Sequence, residues 1–379
     1  MMQIQPAVSR IAVLYSELSG YMAACLKALK SRFDVELLVY RWPIAKDAPF
    51  DERDTFGWID ELHSKEGQRA EDILRTVEAF APDGIFIPGW MDQDYLKVAR
   101  VMKRRRIPVV AGSDTQWQGT LRQRVSKYLA PWYLHTAIDA LWVAGERQRQ
   151  FASYLGYSGA RCWSGYYACD WEKFAPEREA ANTVPAFLYV GRYSHEKGLD
   201  VLVDAYQQYR KTATNPWKLI CAGTGDKKAA LQHIEGIEDR GFVQPEALPA
   251  LMNTAQAFIL PSRKEPWGVV VQEAAAVGLP LLCSTACGAT VHLLQDGFNG
   301  YLFESENTGH LAESMRRLSM APPDVRAQMG RRSRMLATQF TPERWAKTLV
   351  DGIAQLKRRQ TTPAPARAVS VGAWNNVGP

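Results

Sequence analysis

The chain has 379 residues, 46% hydrophobic and 23% charged, a composition ordinary for a globular protein with room for two separate cores. No apolar run reaches the roughly eighteen residues that a membrane-spanning helix needs, so composition excludes a transmembrane bundle. The net charge of +6 is modest, and no stacking aromatics at module spacing accompany it, so a nucleic-acid partner is not expected.

In chain order, the polar segment Met1–Arg10 lacks the apolar centre of a signal peptide and leads into a strand at Ile11–Tyr15. A helical stretch at Met22–Lys30 and a strand at Val35–Val39 follow, and then the polar segment Asp51–Arg69, which reads as loop or helix. Next come a helix at Ile73–Phe80, a strand at Gly84–Ile87, a helix at Gln93–Arg104, strands opening at Val109–Val110 and spanning Ala140–Val143, and a helix at Glu146–Tyr154. Trp171–Pro185 is charged and bounded by prolines, the pattern of a linker.

The pattern then restarts: strand Phe187–Val190, helix Leu199–Arg210, strand Lys218–Ala222, helices Lys227–Glu235 and Pro245–Thr254, strand Phe258–Leu260, helix Val269–Val277, strand Leu281–Cys283. Phe340–Lys357 reads as a last helix, with Thr341 as N-cap and Pro342 at its first position. Alternation of strand and helix in both halves predicts an α/β protein of two facing, doubly wound parallel domains. The expected boundaries are residues 1–170 for the first domain, 171–185 for the linker, 186–339 for the second domain, 340–358 for a helix returning to the first, and 359–379 for a disordered Pro/Ala-rich tail.

Charge and cysteine placement add two expectations. Cys25, Cys162, Cys169, Cys221, Cys283 and Cys287 are scattered through apolar stretches and read as buried, reduced thiols, pointing to a cytoplasmic protein with no metal site. Positive charge gathers at Lys103–Arg106 and at Arg122, Arg124 and Lys127. Such clusters are either solvated surface or a surface that meets anionic lipid or a diphosphate-bearing acceptor.

Two motifs carry the chemistry. In Pro261–Ala274 the carboxylates Glu265 and Glu273 lie eight residues apart, the first in a strand-to-helix loop and the second within the following helix. Loops at the carboxyl ends of parallel strands bind ligands, and a helix start offers free N–H groups to phosphate or sugar oxygens. The second motif, Tyr189–Asp200, puts Arg192 and Lys197 in another such loop after Gly191, where they are either ordinary surface residues or fixed cations suited to a diphosphate.

Taken in order, Gly191-Arg192…Glu196-Lys197-Gly198, Gly223-Thr224-Gly225, Gly241-Phe242-Val243, Pro261-Ser262…Glu265-Pro266-Trp267-Gly268…Glu273-Ala274, Gly288 and Asp296-Gly297…Asn299-Gly300 resemble the donor domain of the retaining GT-B glycosyltransferases of family four. The likeness runs from about Phe187 to Leu302; the first half resembles the family only in layout. It implies that Arg192 and Lys197 grip the donor diphosphate. It further implies that Glu265 sits at the transferred sugar and Glu273 at the nucleotide ribose. Gly191, Phe242 and Val243 would complete the nucleotide site, and the backbone of Trp267, Gly268 and Val269 would face sugar and phosphates.

The first domain departs from the family pattern. The loop Ser16–Tyr21 holds one glycine where relatives commonly carry a pair, so Gly20 either approaches a phosphate or is a turn glycine. Where many relatives have a histidine, Ala111–Trp117 has none; Asp114 either substitutes for it or caps a turn. Trp90 and Trp117 either face an acceptor sugar or pack, and His195 reads as a neighbour of the diphosphate or a bystander.

The implied activity is transfer of a hexose from a UDP- or GDP-sugar, with retention and without a cofactor or metal. The acceptor would be a glycan or a polyprenyl-diphosphate-linked saccharide at the inner membrane surface, in bacterial surface or exopolysaccharide synthesis. A nucleotide-sugar epimerase on the same plan and a non-catalytic sugar-nucleotide-binding subunit are the alternatives. A dinucleotide oxidoreductase is not expected, since no Gly-x-Gly-x-x-Gly follows the first strand.

Overall fold

Buried apolar runs alternating with helices build two all-parallel sheets in the computed structural model, which describes residues 8–43, 56–176 and 184–361. The first sheet comprises β1 (Arg10–Leu14), β2 (Glu36–Arg41), β3 (Glu61–Ser64), β4 (Gly84–Ile87), β5 (Val109–Ser113), β6 (Ala140–Val143) and β7 (Cys162–Ser164), in the order β3-β2-β1-β4-β5-β6-β7. The second comprises β8 (Ala186–Val190), β9 (Lys218–Ala222), β10 (Ile237–Asp239), β11 (Ala257–Leu260), β12 (Leu281–Ser284) and β13 (Gly300–Phe303), in the order β10-β9-β8-β11-β12-β13. Both are doubly wound, with the order reversing between β1 and β4 and between β8 and β11. Ligands bind at such reversals, beyond the carboxyl ends of the strands. Strands β4, β6, β11 and β12 are wholly buried, as expected where helices cover both faces of a parallel sheet.

The last helix, Pro342–Thr361, returns to the first domain. It packs beside the helix Gly20–Phe33 and buries Trp345, Ala346, Leu349 and Ile353 in the first domain's core. Gly84 must lack a side chain because a Cβ there would strike Ile353. The Trp345 indole donates to the Tyr166 carbonyl (2.8 Å), and Lys357 pairs with Asp83 at 2.6 Å. The helix runs on past 358, and the tail from 362 onward lies outside the described residues.

Several elements differ from the sequence reading. Residues 171–185 open as a helix, Trp171–Phe174, with Phe174 buried in the second core; 177–183 lie outside the described residues. The helix expected at Lys227–Glu235 is only a 3-10 turn, Lys228–Leu231, because His233 turns left-handed at φ 60° and the chain goes on to the edge strand β10. The helix expected from Pro245 begins at Leu248. Asp51–Arg69 yields β3, and the charged stretch around Arg122 is a full helix, Leu121–Tyr133. All six cysteines are buried and free.

Candidate functional site

The two motifs meet where the second sheet reverses. The loop after β8 is pinned to the glycine-rich loop after β9: Gly191 N–H donates to Ala222 O (3.0 Å) and Tyr193 N–H to Thr224 O (2.8 Å). A Cβ on Gly223 would strike the Gly191 carbonyl, so this approach requires glycine. On its other side the loop is strapped to the loop after β11. Arg263 N–H donates to Glu196 O (2.8 Å), and the Arg263 guanidinium takes Asp200 with both arms (2.7 and 2.9 Å), Glu306 (2.9 Å) and the His195 carbonyl (3.0 Å). Gly198 turns left-handed (φ 68°) against the Pro261 carbonyl, where any Cβ would collide.

This strapping brings the Lys197 ammonium into an ion pair with Glu265, whose side chains are only 18% and 9% exposed. Arg192 lies exposed in the same loop, its carbonyl held by the Tyr189 hydroxyl (2.8 Å). The His195 side chain is exposed, and its carbonyl, rather than its ring, is what Arg263 uses.

Beyond Glu265 the chain enters the helix Val269–Val277 through Gly268, at φ 98°. Among the described residues, the N–H groups of Gly268, Val269 and Val270 have no hydrogen-bond acceptor. They lie beside the Lys197–Glu265 pair and make a ready anion site. Glu273, one turn further on, is partly buried. Its carboxyl is pushed up to about 7, first by burial and then by Asp170 nearby. Phe242 is 47% exposed beyond β10; the Asp239 carboxylate fixes its loop by accepting from Gly241 N–H and the Tyr193 hydroxyl, both at 2.8 Å. Val243 lies beside it, partly buried.

Trp267 is placed differently from its neighbours. Its ring is buried between His292 and Phe340 and against Gly145 of the first domain, where a Cβ would strike it. Its carbonyl accepts from Ala289 N–H (2.9 Å), so it acts as an interdomain wedge.

The first domain grips the same loop. The Pro266 carbonyl accepts from the amides of Gln116 (2.9 Å) and Gln148 (2.5 Å), and the His292 ring nitrogen accepts from Glu146 N–H (3.1 Å). Burial pushes the His292 imidazole below its usual value, as that acceptor role requires. Gln148 is 1% exposed and its amide also reaches the Asp114 carbonyl (3.3 Å). The Asp114 carboxylate accepts from the Tyr167 hydroxyl (3.0 Å) and lines a cavity of about 840 Å³ beyond β4 and β5. Trp90 lines this cavity too, whereas Trp117 packs against Phe151 and Tyr154. Gly20 opens the helix after β1 with nothing within 4 Å of where its Cβ would be, so its backbone stands clear.

Arg263, Asp200, Asp239, Gln116 and Gln148 escaped the sequence reading. Each acts by holding a loop, and only the fold reveals their partners. The available signals were the places of Arg263 inside the carboxylate motif, of Asp200 at the end of Tyr189–Asp200 and of Gln116 in Ala111–Trp117.

Residues 171–335 match the family described as glycosyl transferases group 1. Alpha-D-kanosaminyltransferase of Streptomyces kanamyceticus is 28% identical over 160 residues, 40% of this chain and 41% of that protein. The glycogen synthase of Mycobacterium tuberculosis is 31% identical over 214 residues, 53% of this chain and 50% of that one. The D-inositol 3-phosphate glycosyltransferase of Gordonia bronchialis is 29% identical over 205 residues, covering 50% and 44%. The chain thus spans about two fifths to half the length of the curated relatives it matches. Among solved structures, Anabaena HepE with UDP and glucose superposes with a TM-score of 0.69 at 17% identity, covering 91% of this chain and 99% of that one. A glycosyltransferase of Rickettsia africae gives 0.74 at 12%, covering 92% and 98%. At these identities the likeness establishes the fold alone, two parallel doubly wound α/β domains of the GT-B type.

Proposed function

Because residues 171–335 form a glycosyl transferases group 1 domain, we propose that this chain transfers a hexose from a UDP- or GDP-sugar to a glycan or lipid-linked saccharide, with retained anomeric configuration. The observation that carries the reading is the convergence of the Lys197–Glu265 pair with the acceptor-free N–H groups of Gly268, Val269 and Val270. A nucleotide sugar offers two groups that such a site suits, an anionic diphosphate and hydroxyls that donate to carboxylates.

In this reading the donor diphosphate lies between Arg192, Lys197 and the helix start. The base and ribose run past Phe242 and Val243 to Glu273. The backbone at Trp267, Gly268 and Val269 faces the sugar and phosphates, and Gly20 allows the first domain to close over them. Lys197 and Arg192 stabilise the charge that develops as the diphosphate leaves, so catalysis needs no divalent cation and no cofactor. Glu265 accepts from the sugar hydroxyls and aims the Lys197 side chain. The acceptor hydroxyl attacks on the face from which the diphosphate departs, and a departing phosphate oxygen takes its proton. Asp114 orients the reacting sugar or acceptor from the first domain. Work at the inner membrane surface, in synthesis of surface or exopolysaccharide, fits a chain with no helix long and apolar enough to cross a membrane among its described residues.

The cavity beside Asp114 favours a transferase over an epimerase, which needs no second substrate. The test is to incubate purified protein with UDP- and GDP-hexoses, chelator and candidate saccharide acceptors, following nucleotide release and the product's anomeric proton by NMR. Release coupled to an axial-to-axial or equatorial-to-equatorial outcome supports the reading. An isomerised donor supports the epimerase, and binding without release supports a non-catalytic subunit.

A further inference from the structure

The helix Leu121–Tyr133 is built the wrong way round for a surface helix. Its buried positions are polar or small: Gln123 and Ala130 are buried and Ser126 is partly buried. Leu121, Val125, Tyr128 and Trp132, spaced i, i+4, i+7 and i+11, form a stripe on the opposite face at the helical period. They are 78%, 47%, 69% and 74% exposed. Among the described residues nothing covers this stripe.

Charge tells what does. The helix contains no acidic residue, and Arg122 flanks the stripe on one side while Arg124 and Lys127 flank it on the other. Arg124 donates to the Gly119 carbonyl (3.0 Å) and Lys127 lies over the Tyr154 ring, but among the described residues none of the three has a carboxylate partner. The other basic cluster, at Lys103–Arg106, is different: Lys103 is paired with Asp139 (2.9 Å) and Arg105 with Glu78 (2.8 Å). An exposed apolar stripe carrying Trp and Tyr and bordered by cations is the pattern of a helix lying in a lipid headgroup layer.

We infer that the helix Leu121–Tyr133 is a membrane-contact surface, its Leu121/Val125/Tyr128/Trp132 stripe entering the headgroup region of an anionic bilayer while Arg122, Arg124 and Lys127 meet lipid phosphates. The location gives it a purpose that rests on the proposed transfer reaction. Arg122, Leu129 and Tyr133 line the same cavity as Asp114, so the mouth of that cavity opens at the bilayer surface. An acceptor whose apolar chain stays in the membrane can present its polar head there. The helix is also tied to the donor domain: the buried Gln123 amide donates to Gln116 O (2.7 Å), and Gln116 in turn holds the Pro266 carbonyl beside Glu265.

The test is cosedimentation of the full chain with phosphatidylcholine vesicles, with and without phosphatidylglycerol, run without any nucleotide sugar so that the result does not depend on the transfer reading. The wild type should bind phosphatidylglycerol vesicles, release in high salt, and bind the neutral ones at least about tenfold more weakly. The variant L121S/V125S/Y128S, changed only at exposed positions and checked for an unaltered circular dichroism spectrum, should lose about tenfold or more. R124A/K127A should lose affinity for the anionic vesicles only. Absence of wild-type binding to either vesicle, or equal binding by L121S/V125S/Y128S, overturns the proposal. So does a concentration-dependent dimer that the same variant abolishes, since a second copy would then be what covers the stripe.

Discussion

The Lys197 ammonium is ion-paired with the Glu265 carboxylate across 68 residues of sequence, joining the loop after β8 to the loop after β11. Both side chains are largely removed from water, so each stabilises a partner that would be costly alone. Lys197→Ala should therefore destabilise the fold by about 2–4 kcal/mol, as expected when one member of a buried pair is deleted. The double variant K197A/E265A should be less destabilised than the sum of the single variants. Urea denaturation of all four proteins measures this; strictly additive effects would mean that the two groups do not interact.

Glu273 couples pH to both stability and binding. Its carboxyl titrates at about 7 in the folded protein, raised by burial and by Asp170. A raised folded value means that the favourable contribution is present at acid pH, below the ordinary carboxyl range, and is lost as pH rises through about 7. Glu273→Gln should accordingly stabilise the protein at pH 8, by about 1–2 kcal/mol after allowance for its partly open position, and have little effect at about pH 4 and below. Hydroxyl donors prefer the ionised form. Nucleotide affinity should fall below pH 7 by up to about tenfold per unit in the wild type and stay flat in the variant, as calorimetric titration across that range would reveal.

Gly198 sets the position of Lys197. At φ 68° and against the Pro261 carbonyl, any side chain is both strained and obstructed. Gly198→Ala should cost about 1–3 kcal/mol in thermal or denaturant unfolding and lower nucleotide affinity with it. Retention of full stability would show that the two loops are not tightly apposed.

The interdomain contact should loosen in acid. His292 accepts from Glu146 N–H (3.1 Å) through a ring nitrogen that must be unprotonated. Its value is depressed by burial, with Arg149 lowering it further and Glu146 opposing. A depressed folded value means that the contact is intact above the ordinary histidine value and is lost as pH falls through the lowered one. The radius of gyration from small-angle scattering should rise at acid pH in the wild type, and His292→Gln should remove the step.

The sequence made much of this site legible because its chemistry lies in short contiguous motifs. Arg192, Lys197 and Glu265 lie in loops after strands and Glu273 one turn into a helix, places that the alternation of strand and helix predicts along with the parallel topology, whereas the roles proposed for them come from the resemblance of the ordered motifs to the family-four donor domain. Trp267 was harder. The resemblance speaks only of its backbone, and that its ring serves the domain interface depends on Gly145, 122 residues earlier. Gln148 was invisible for the same reason, and Arg263 offered only its place inside the carboxylate motif, since an isolated Arg or Gln has no periodic signature. The stripe on Leu121–Tyr133 has helical spacing, but only the fold reveals that it faces water.

The most direct test of the central claim is the turnover of Glu265→Gln beside the wild type, in chelator, with the donor and acceptor that the wild type uses. The account predicts a fall of at least about a hundredfold in kcat, with nucleotide diphosphate affinity largely kept because Arg192, Lys197 and the helix start remain. Turnover within a few-fold of the wild type would contradict it, for Glu265 would then be a structural partner of Lys197 and nothing more.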